Sequence, residues 1–551
     1  ARLVQLQGFE STKYAAEGQL KRLRNTVLLA QRGQILDRNG AQLAMSQEAR
    51  TITADPLLVT DADAAAAALA PLLNLPAADI KAKLTAKGRY AIIAKAVDVP
   101  LAQNIMELKL PGISYERTTR RIYPNDALAS SLVGFVRADG TGAGGIESKF
   151  DKALRGTDGR MIVEQAAAGV ISSGVRKVVD AKAGGSVQLT IDRDIQWMAQ
   201  KTLLSEVQRS GAAGGHIIVM DVKTGEILAL ASAPTFDPNA TSGADPKTLG
   251  SITAVSNVYE PGSVNKVITA AAALETGLLG PDSTVVVPTS ITVADKTFRE
   301  HGARAEQHLT FRGVLAKSSN VGTITIAQRL GKEKIDEYLR KFGLGSLTGV
   351  DLPGESRGLL PPVQQWSGSQ VGNIPIGQGV AATALQMAEV YAIVANGGVK
   401  VTPTMVKGQT DSAGTFSPAA PPVGTRVIKE SSAAMLREML EAVTSDGGTA
   451  PGARIDGYRV AGKTGTARRV LENGLGYDPG KYVSSFIGFA PADKPELLVE
   501  VVLDRTGSGD YYAGKVSTPA FRDVMSFALA ARKVAPTTEP PPVPRLTADP
   551  K

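Results

Sequence analysis

Apolar positions recur with two different periods along this chain, and the changes of period divide it. Residues 12–31 carry apolar side chains at helical spacing and predict a partly amphipathic helix. It leads into Arg32-Gly-Gln-Ile-Leu-Asp-Arg-Asn-Gly40, where a short strand ends in an Asn-Gly turn, a strong hairpin signal. Residues 61–87 are Ala-rich and helical, with breaks expected at Pro71 and Pro76. Short strand-like runs and turns continue to about residue 185. No βαβ rhythm repeats in this first third, so residues 1–185 read as a mixed α+β unit.

A different texture begins near Gly185. Ser186 to Asp192 alternates like a strand, and Asp194 to Arg209 reads as a helix capped by Asp192 or Asp194. Two apolar strands follow, His216 to Asp221 and Glu226 to Ala231, joined by a turn at Val222-Lys-Thr-Gly225. A helix is expected from Ser263 to Glu275, and a helical middle section over roughly 309–342 and 382–396. Strands return at Tyr458–Gly462, Ser484–Ala490 and Leu497–Asp504, with a closing helix near 518–532. That order predicts a second α+β domain over 186–533, with helices packed on one antiparallel sheet and an all-helical subregion. The tail, 534–551, contains Glu539-Pro-Pro-Pro-Val-Pro544, cannot build a core, and reads as an extended linker.

Composition narrows the function classes. The 551 residues hold 61 Lys+Arg against 53 Asp+Glu, a net charge of +8, with 43% apolar and 21% charged residues. That is a globular, multi-domain balance. The chain has no cysteine, which excludes disulfides, thiolate catalysis and Cys-ligated metals. No apolar run reaches the 18 or so residues that a membrane span needs. The chain opens Ala1-Arg2-Leu3-Val4, which reads as the cut end of something longer. Basic residues are dispersed, apart from Lys21-Arg22-Leu23-Arg24, and no aromatic-rich basic stripe accompanies them. This excludes nucleic acid as a partner and fits weak attraction to an anionic surface.

Two motifs are decoys on their context. Gly140-Thr-Gly-Ala-Gly-Gly145 matches a dinucleotide fingerprint, but no parallel-sheet pattern follows it. Gly354-Glu-Ser-Arg-Gly358 matches a nucleophile elbow, yet Leu359-Leu-Pro-Pro362 prevents the helix such an elbow requires. The three histidines sit in an apolar strand (His216) or a polar insert (His301, His308), which disfavours a Ser-His-Asp hydrolase; they read as structural or solvent-exposed.

Ser263-Val-Asn-Lys266 carries more. It is the only S-x-x-K in the chain, though chance predicts roughly one or two at this composition. Spacing i, i+3 stacks both side chains on one helix face. A serine at a helix start is ordinary capping. A lysine near the third helical position is not, because a capping box wants Glu or Gln there and the helix dipole opposes a cation. Dipole and burial would both favour a neutral amine able to deprotonate Ser263. Of two K-T-G triplets, Lys223-Thr-Gly225 reads as a hairpin turn. Lys463-Thr464-Gly465-Thr466 instead follows a strand, and its small residues let a substrate backbone approach. Between them Ser318-Ser-Asn320 places a hydroxyl and an amide at i, i+2 in a loop.

In that order, Ser263-x-x-Lys266, Ser318-x-Asn320 and Lys463-Thr464-Gly465 resemble the signature of the penicillin-recognising serine acyltransferases. Tyr259-Glu-Pro-Gly-Ser-Val-Asn-Lys266, Gly377-Gln-Gly379 with Ala384-Leu-Gln-Met-Ala388, and Arg32-Gly-x-Ile-x-Asp-Arg-Asn-Gly40 resemble class B penicillin-binding proteins of the division-specific, septal FtsI type. The resemblance covers nearly the whole chain except the tail. It implies a pedestal (dimerisation-type) domain carrying a D,D-transpeptidase domain outside the cytoplasmic membrane, with a membrane anchor in a missing N-terminal segment. It implies peptidoglycan stem peptides as substrates, β-lactams as covalent inhibitors, and no cofactor or metal. It implies Ser263 as nucleophile, Lys266 as general base, and a proton relay through Ser318 and Lys463. Asn320 would hold the substrate amide, Thr464 and Thr466 its terminal carboxylate, and the Ser263 and Thr466 N–H groups the oxyanion. Partners by resemblance are a membrane glycan polymerase and other division proteins. The segment 32–40 reads equally as a docking surface for such a partner or as a strand-turn held by buried ion pairs. Val264-Asn265 departs from the family's usual Thr and large apolar residue.

Two alternatives share the motifs. One is an elongation transpeptidase, a carboxypeptidase or a β-lactamase, of which the last two need no pedestal. The other is a non-catalytic scaffold that binds β-lactams or recruits division proteins. A complete motif set disfavours the scaffold.

Overall fold

The computed structural model describes residues 23–166, 169–170, 174–302, 305–471, 476–506 and 511–548. The N-terminal third is a mixed unit, but it does not open on the expected helix. Leu23–Leu28 is a strand paired antiparallel with Gly159–Ala166, whose other edge takes Arg176–Val179. Apolar spacing over six residues fits either structure, and a partner more than 130 residues away decided it. The rest of that predicted helix, 12–22, lies outside the described residues. The Asn-Gly hairpin does form, pairing Ile35–Leu36 with Gln42–Ala54. The long strand also pairs with Ala91–Asp98 and Ile113–Ile122, and helices Ala62–Leu73, Ala77–Leu84 and Val99–Glu107 close a small core around Ile52, Leu69, Ile80 and Ile105. Pro71 rides inside the last turn of the first helix instead of breaking it; the stop comes at Asn74, in the left-handed region at φ 50°.

Segment 32–40 resolves in favour of buried ion pairs. Arg32 is 8% exposed and clamps a fully buried Glu147 (Nε to Oε2, 2.7 Å) and Asp151 (2.8 Å). Arg121 Nε donates to the other Glu147 oxygen at 2.7 Å. Asp37, also buried, accepts from the N–H groups of Asn39, Ala41 and Arg193. The decoy glycines near 140–145 form a two-residue hairpin leading to Gly145–Lys149, the turn of helix that presents Glu147 to this network.

The pedestal is not a closed unit, because its sheet continues past residue 185. Ser186–Leu189 pairs parallel with Ile35–Leu36 and antiparallel with Val406–Thr410. Beyond it, α1 (Arg193–Ser210) is capped by Asp192, as the Asp-rich start predicts. Then come β1 (Gly214–Asp221), β2 (Ile227–Ala233), α2 (Lys266–Glu275), α3 (Phe311–Ala316), α4 (Asn320–Leu330), β3 (Ala461–Val470), β4 (Tyr477–Ala490), β5 (Leu497–Thr506) and α5 (Ala513–Ala531). The five strands form one antiparallel sheet in the order β2-β1-β5-β4-β3, leaving β3 at an edge. Alternation along β1 sends Ile217 and Val219 toward α1 and α5, and Ile218 and Met220 into the core shared with α2. The K-T-G triplet lies inside β3, not after it, since the strand begins three residues later than the apolar run suggests.

The tail is extended but is no free linker. Tyr458 OH donates to Val534 O at 2.7 Å and Thr537 N to Gly457 O at 2.8 Å. Farther on, Thr310 donates to Leu546 O (N–H, 3.1 Å) and Arg545 O (hydroxyl, 2.7 Å), and Ala548 N to His308 O at 3.0 Å. The prolines between these anchors have no N–H to satisfy, so the strap crosses the surface cheaply. Among the described residues no helix is long and apolar enough to cross a membrane.

Candidate active site

Ser263 stands in a 3-10 turn, Gly262–Asn265, that runs directly into α2. Neither turn nor helix has a side-chain cap, so the serine is not spent on capping. The turn is wedged between two glycine-lined surfaces. Gly262 takes φ +58° and its N–H donates to Gly377 O at 3.0 Å, while a Cβ on Gly377 would lie 2.1 Å from Gly262 O. Glu260 ties the approach down by accepting from Gly379 N (2.7 Å) and Tyr477 OH (3.1 Å). Beneath, the buried Tyr391 hydroxyl donates to Val264 O at 2.8 Å. Val264 and Asn265 are fully buried, and Asn265 donates to Ile374 O at 2.9 Å, so this departure from the family pattern supports the turn and does not line the cavity.

Lys266, 1% exposed, begins α2. Its Nζ donates to Ser318 O at 2.6 Å, Ser318 Oγ at 3.3 Å and Asn320 Oδ1 at 2.7 Å. Burial pushes its pKa down to about 7, opposed by the charge of Glu300. Ser318 takes a left-handed φ of 56°, which bends the chain between α3 and α4 and turns its carbonyl and hydroxyl toward the lysine. Asn320 is the first residue of α4, and with Oδ1 committed to Lys266 its NH2 group remains a donor.

β3 supplies the opposite wall. Lys463 is fully buried, and burial followed by the charge of Lys266 holds its pKa well below the usual lysine value. Its Nζ donates to Thr464 O (3.1 Å) and Thr464 Oγ1 (3.4 Å). Thr464 Oγ1 pairs with Thr449 Oγ1 at 2.8 Å, and Thr466 Oγ1 accepts from Ala513 N at 3.3 Å. A Cβ on Gly465 would lie 2.4 Å from Ser485 Oγ and 3.1 Å from Pro261 O, so only glycine lets this edge strand touch the turn that carries Ser263.

A cavity of about 390 Å³ joins these pieces, lined by Ser263, Ser318, Thr464 and Thr466. Lys266 lies behind this lining, reaching it through its hydrogen bonds to Ser318. Lys463 reaches the site only through Thr464; no hydrogen bond joins it to Ser318, nor Ser263 to Lys266, among the described residues. The cavity also takes Glu300, Thr449, Tyr512 and His301, none of which belongs to a recognisable motif. His301 lines the cavity and is solvent-exposed, in keeping with the sequence reading of the histidines. His216 is half-buried in β1, and desolvation pushes its pKa down to about 4. Ser356 of the second decoy lies in a loop whose N–H donates to Val255 O, away from the cavity. The arrangement can activate a hydroxyl, clamp an amide and hold a small anion beside an edge strand.

The family description "Penicillin binding protein transpeptidase domain" matches residues 215–526, and "Penicillin-binding Protein dimerisation domain" matches residues 27–189. A penicillin-binding protein PbpB of Mycolicibacterium smegmatis is 39% identical over 93% of this chain and 84% of its own. A peptidoglycan D,D-transpeptidase FtsI of Escherichia coli is 34% identical over 97% of this chain and 89% of its own. Among solved structures, penicillin-binding protein 3 from Mycobacterium tuberculosis complexed with aztreonam is similar at TM-score 0.74 and 33% identity, covering 95% of this chain and all of that one.

Proposed function

The chain belongs to the penicillin-binding protein transpeptidases, in the class B group of FtsI type, and from that premise we propose how its own residues carry out peptidoglycan D,D-transpeptidation. The relatives act in peptidoglycan synthesis, and one similar structure holds aztreonam and another ampicillin. The present chain is a peptidoglycan transpeptidase and a β-lactam target. Our proposal concerns the serine mechanism, the residue roles and the setting.

Ser263 Oγ attacks the carbonyl carbon of the penultimate D-Ala of a stem peptide, and its proton passes to neutral Lys266. The oxyanion is met by the N–H groups of Ser263 and Thr466, worth about 3–4 kcal/mol per donor. The C–N bond to the terminal D-Ala then breaks, and a proton relayed through Ser318 and Lys463 goes to the leaving nitrogen. Asn320 donates to the substrate amide, while Thr464 and Thr466 hold the terminal carboxylate beside Lys463. An amine of a neighbouring stem attacks the ester, forms the cross-link and returns the proton to Ser263. A β-lactam enters by the same first step and leaves a slowly hydrolysed ester. In this reading residues 1–185 form the pedestal, 186–533 the catalytic domain and 534–551 the tail. The enzyme works at the outer face of the cell membrane in septal wall synthesis, beside a membrane glycan polymerase and other division proteins.

The observation that carries the reading is Lys266: a buried amine with its pKa brought to about 7, hydrogen-bonded to Ser318, which lines one cavity with Ser263. The test supplies a stem-peptide donor and an acceptor amine, and follows D-Ala release and cross-linked product by mass spectrometry. Product from the parent protein and none from Ser263→Ala supports the mechanism; equal product from both refutes it.

A further inference from the structure

We propose that Glu300 is a positioning residue for acylation, one whose carboxylate fixes the Ser318–Asn320 loop that holds Lys266. This rests on the reading of Lys266 as general base.

Three donors converge on the Glu300 carboxylate from the start of α4. Ser319 Oγ donates to Oε1 at 2.5 Å, Val321 N to Oε1 at 3.0 Å, and Asn320 N to Oε2 at 3.1 Å. Ser319 is the local N-cap of this 11-residue helix, accepting from Gly322 N at 2.8 Å, so Glu300 completes a cap that the sequence of α4 alone leaves unfinished. A carboxylate there is stabilised by the free N–H groups and the positive end of the helix. Its anchoring does more than start a helix. The residue gripped by its backbone, Asn320, and the residue before the cap, Ser318, are the two that hold Lys266 Nζ. Glu300 directly follows the strand Lys296–Arg299, some twenty positions before α4, and lines the reaction cavity.

Glu300 is the one carboxylate among the described residues that line the cavity. Lys266 is faced by Glu300 from this loop, by Ser318 and Asn320 from the α3–α4 bend, and by Lys463 from β3. His301, Lys317 and Lys515 also line the cavity. Burial drives Lys266 toward the neutral amine, and Glu300 is the charge that opposes it. Removing that charge alone lowers the pH at which the amine is free. Removing the cap alone loosens Asn320 and slows the reaction at every pH.

The experiment follows acylation of Ser263 by a fluorescent penicillin across pH in the full chain, its Glu300→Gln and Glu300→Asp variants, and Ser319→Ala. In the parent the rate climbs with pH through a midpoint near 7. Glu300→Gln keeps the shape and removes the charge; its midpoint moves to lower pH and its plateau falls about fivefold, the equivalent of one lost cap. Glu300→Asp restores the midpoint. Ser319→Ala keeps the charge and cuts the shortest tie, so its plateau falls while its midpoint stays, a reading that serves even where Glu300→Gln does not fold. A plateau unchanged in folded Glu300→Gln or in Ser319→Ala overturns the inference. A parent protein that is never labelled at Ser263 overturns the mechanism it rests on instead.

Discussion

At the scale of single residues, the site works against its own stability. Lys266 has a folded-state pKa of about 7 against an ordinary lysine value of 10.5, so folding favours its neutral form. Stability tied to this group is therefore present above about pH 10.5 and is lost as pH falls toward 7. Lys266→Met relieves that cost at neutral pH. Its melting temperature should rise by a few degrees, on the order of 1–2 kcal/mol after the lost hydrogen bonds are counted. Its penicillin labelling should vanish, and a lower melting point would count against the buried-amine account. Lys266→Arg keeps a cation that cannot serve as a base, and acylation should drop by about 10²–10⁴-fold. Ser263, Lys266 and the S-x-N pair stand out in the sequence because the proposed chemistry demands particular residue types at short spacing. Glu300 does not, because its partners lie some twenty positions away and only the bend between α3 and α4 brings them to it.

At the scale of elements, the closest joint is that between β3 and the 3-10 turn bearing Ser263. Gly465 faces Ser485 Oγ, Val264 and Pro261 O within 3.1 Å of where a Cβ would sit, and these include backbone that cannot step aside. Gly465→Ala should cost about 1–3 kcal/mol of stability and push the edge strand off the turn. Acylation should fall at least tenfold, read as the second-order rate with a chromogenic β-lactam; an unchanged rate would mean that the strand does not set the site. Elements were legible where their hydrogen bonds are local, as in α1 with its Asp192 cap and the hairpin of β1 and β2. They were misread where a distant partner decides. Leu23–Leu28 is a strand because Gly159–Ala166 pairs with it, and β3 extends through the K-T-G triplet because β4 pairs along its length.

At the scale of the whole molecule, the chain returns to itself in two places that sequence texture conceals. The sheet of the pedestal borrows Ser186–Leu189 and Val406–Thr410 from beyond the change of texture at residue 185, tying base to catalytic domain. Glu147, on the helical turn Gly145–Lys149, has both oxygens occupied by arginines. Glu147→Ala leaves Arg32 and Arg121 buried without it and should cost about 3–5 kcal/mol, measured by chemical denaturation. A loss under 1 kcal/mol would show that the network is incidental. The Pro-rich tail reads as a linker because prolines build no core, yet the carbonyls of Arg545 and Leu546 meet Thr310 just ahead of α3. Deletion of residues 537–551 should lower the melting temperature by a few degrees, about 1 kcal/mol per lost hydrogen bond, with Ser263 still acylated. An unchanged melting curve would return the tail to the status of a linker.

The account turns on a serine oxygen made nucleophilic by a lysine three residues on, at the start of α2. Its most direct test is mass spectrometry of the tryptic peptide containing Ser263 after brief exposure of the folded protein to penicillin. We predict one acyl adduct, mapped to Ser263 and absent from Ser263→Ala at an unchanged melting temperature. An adduct on another residue, or none on a demonstrably folded chain, would contradict it.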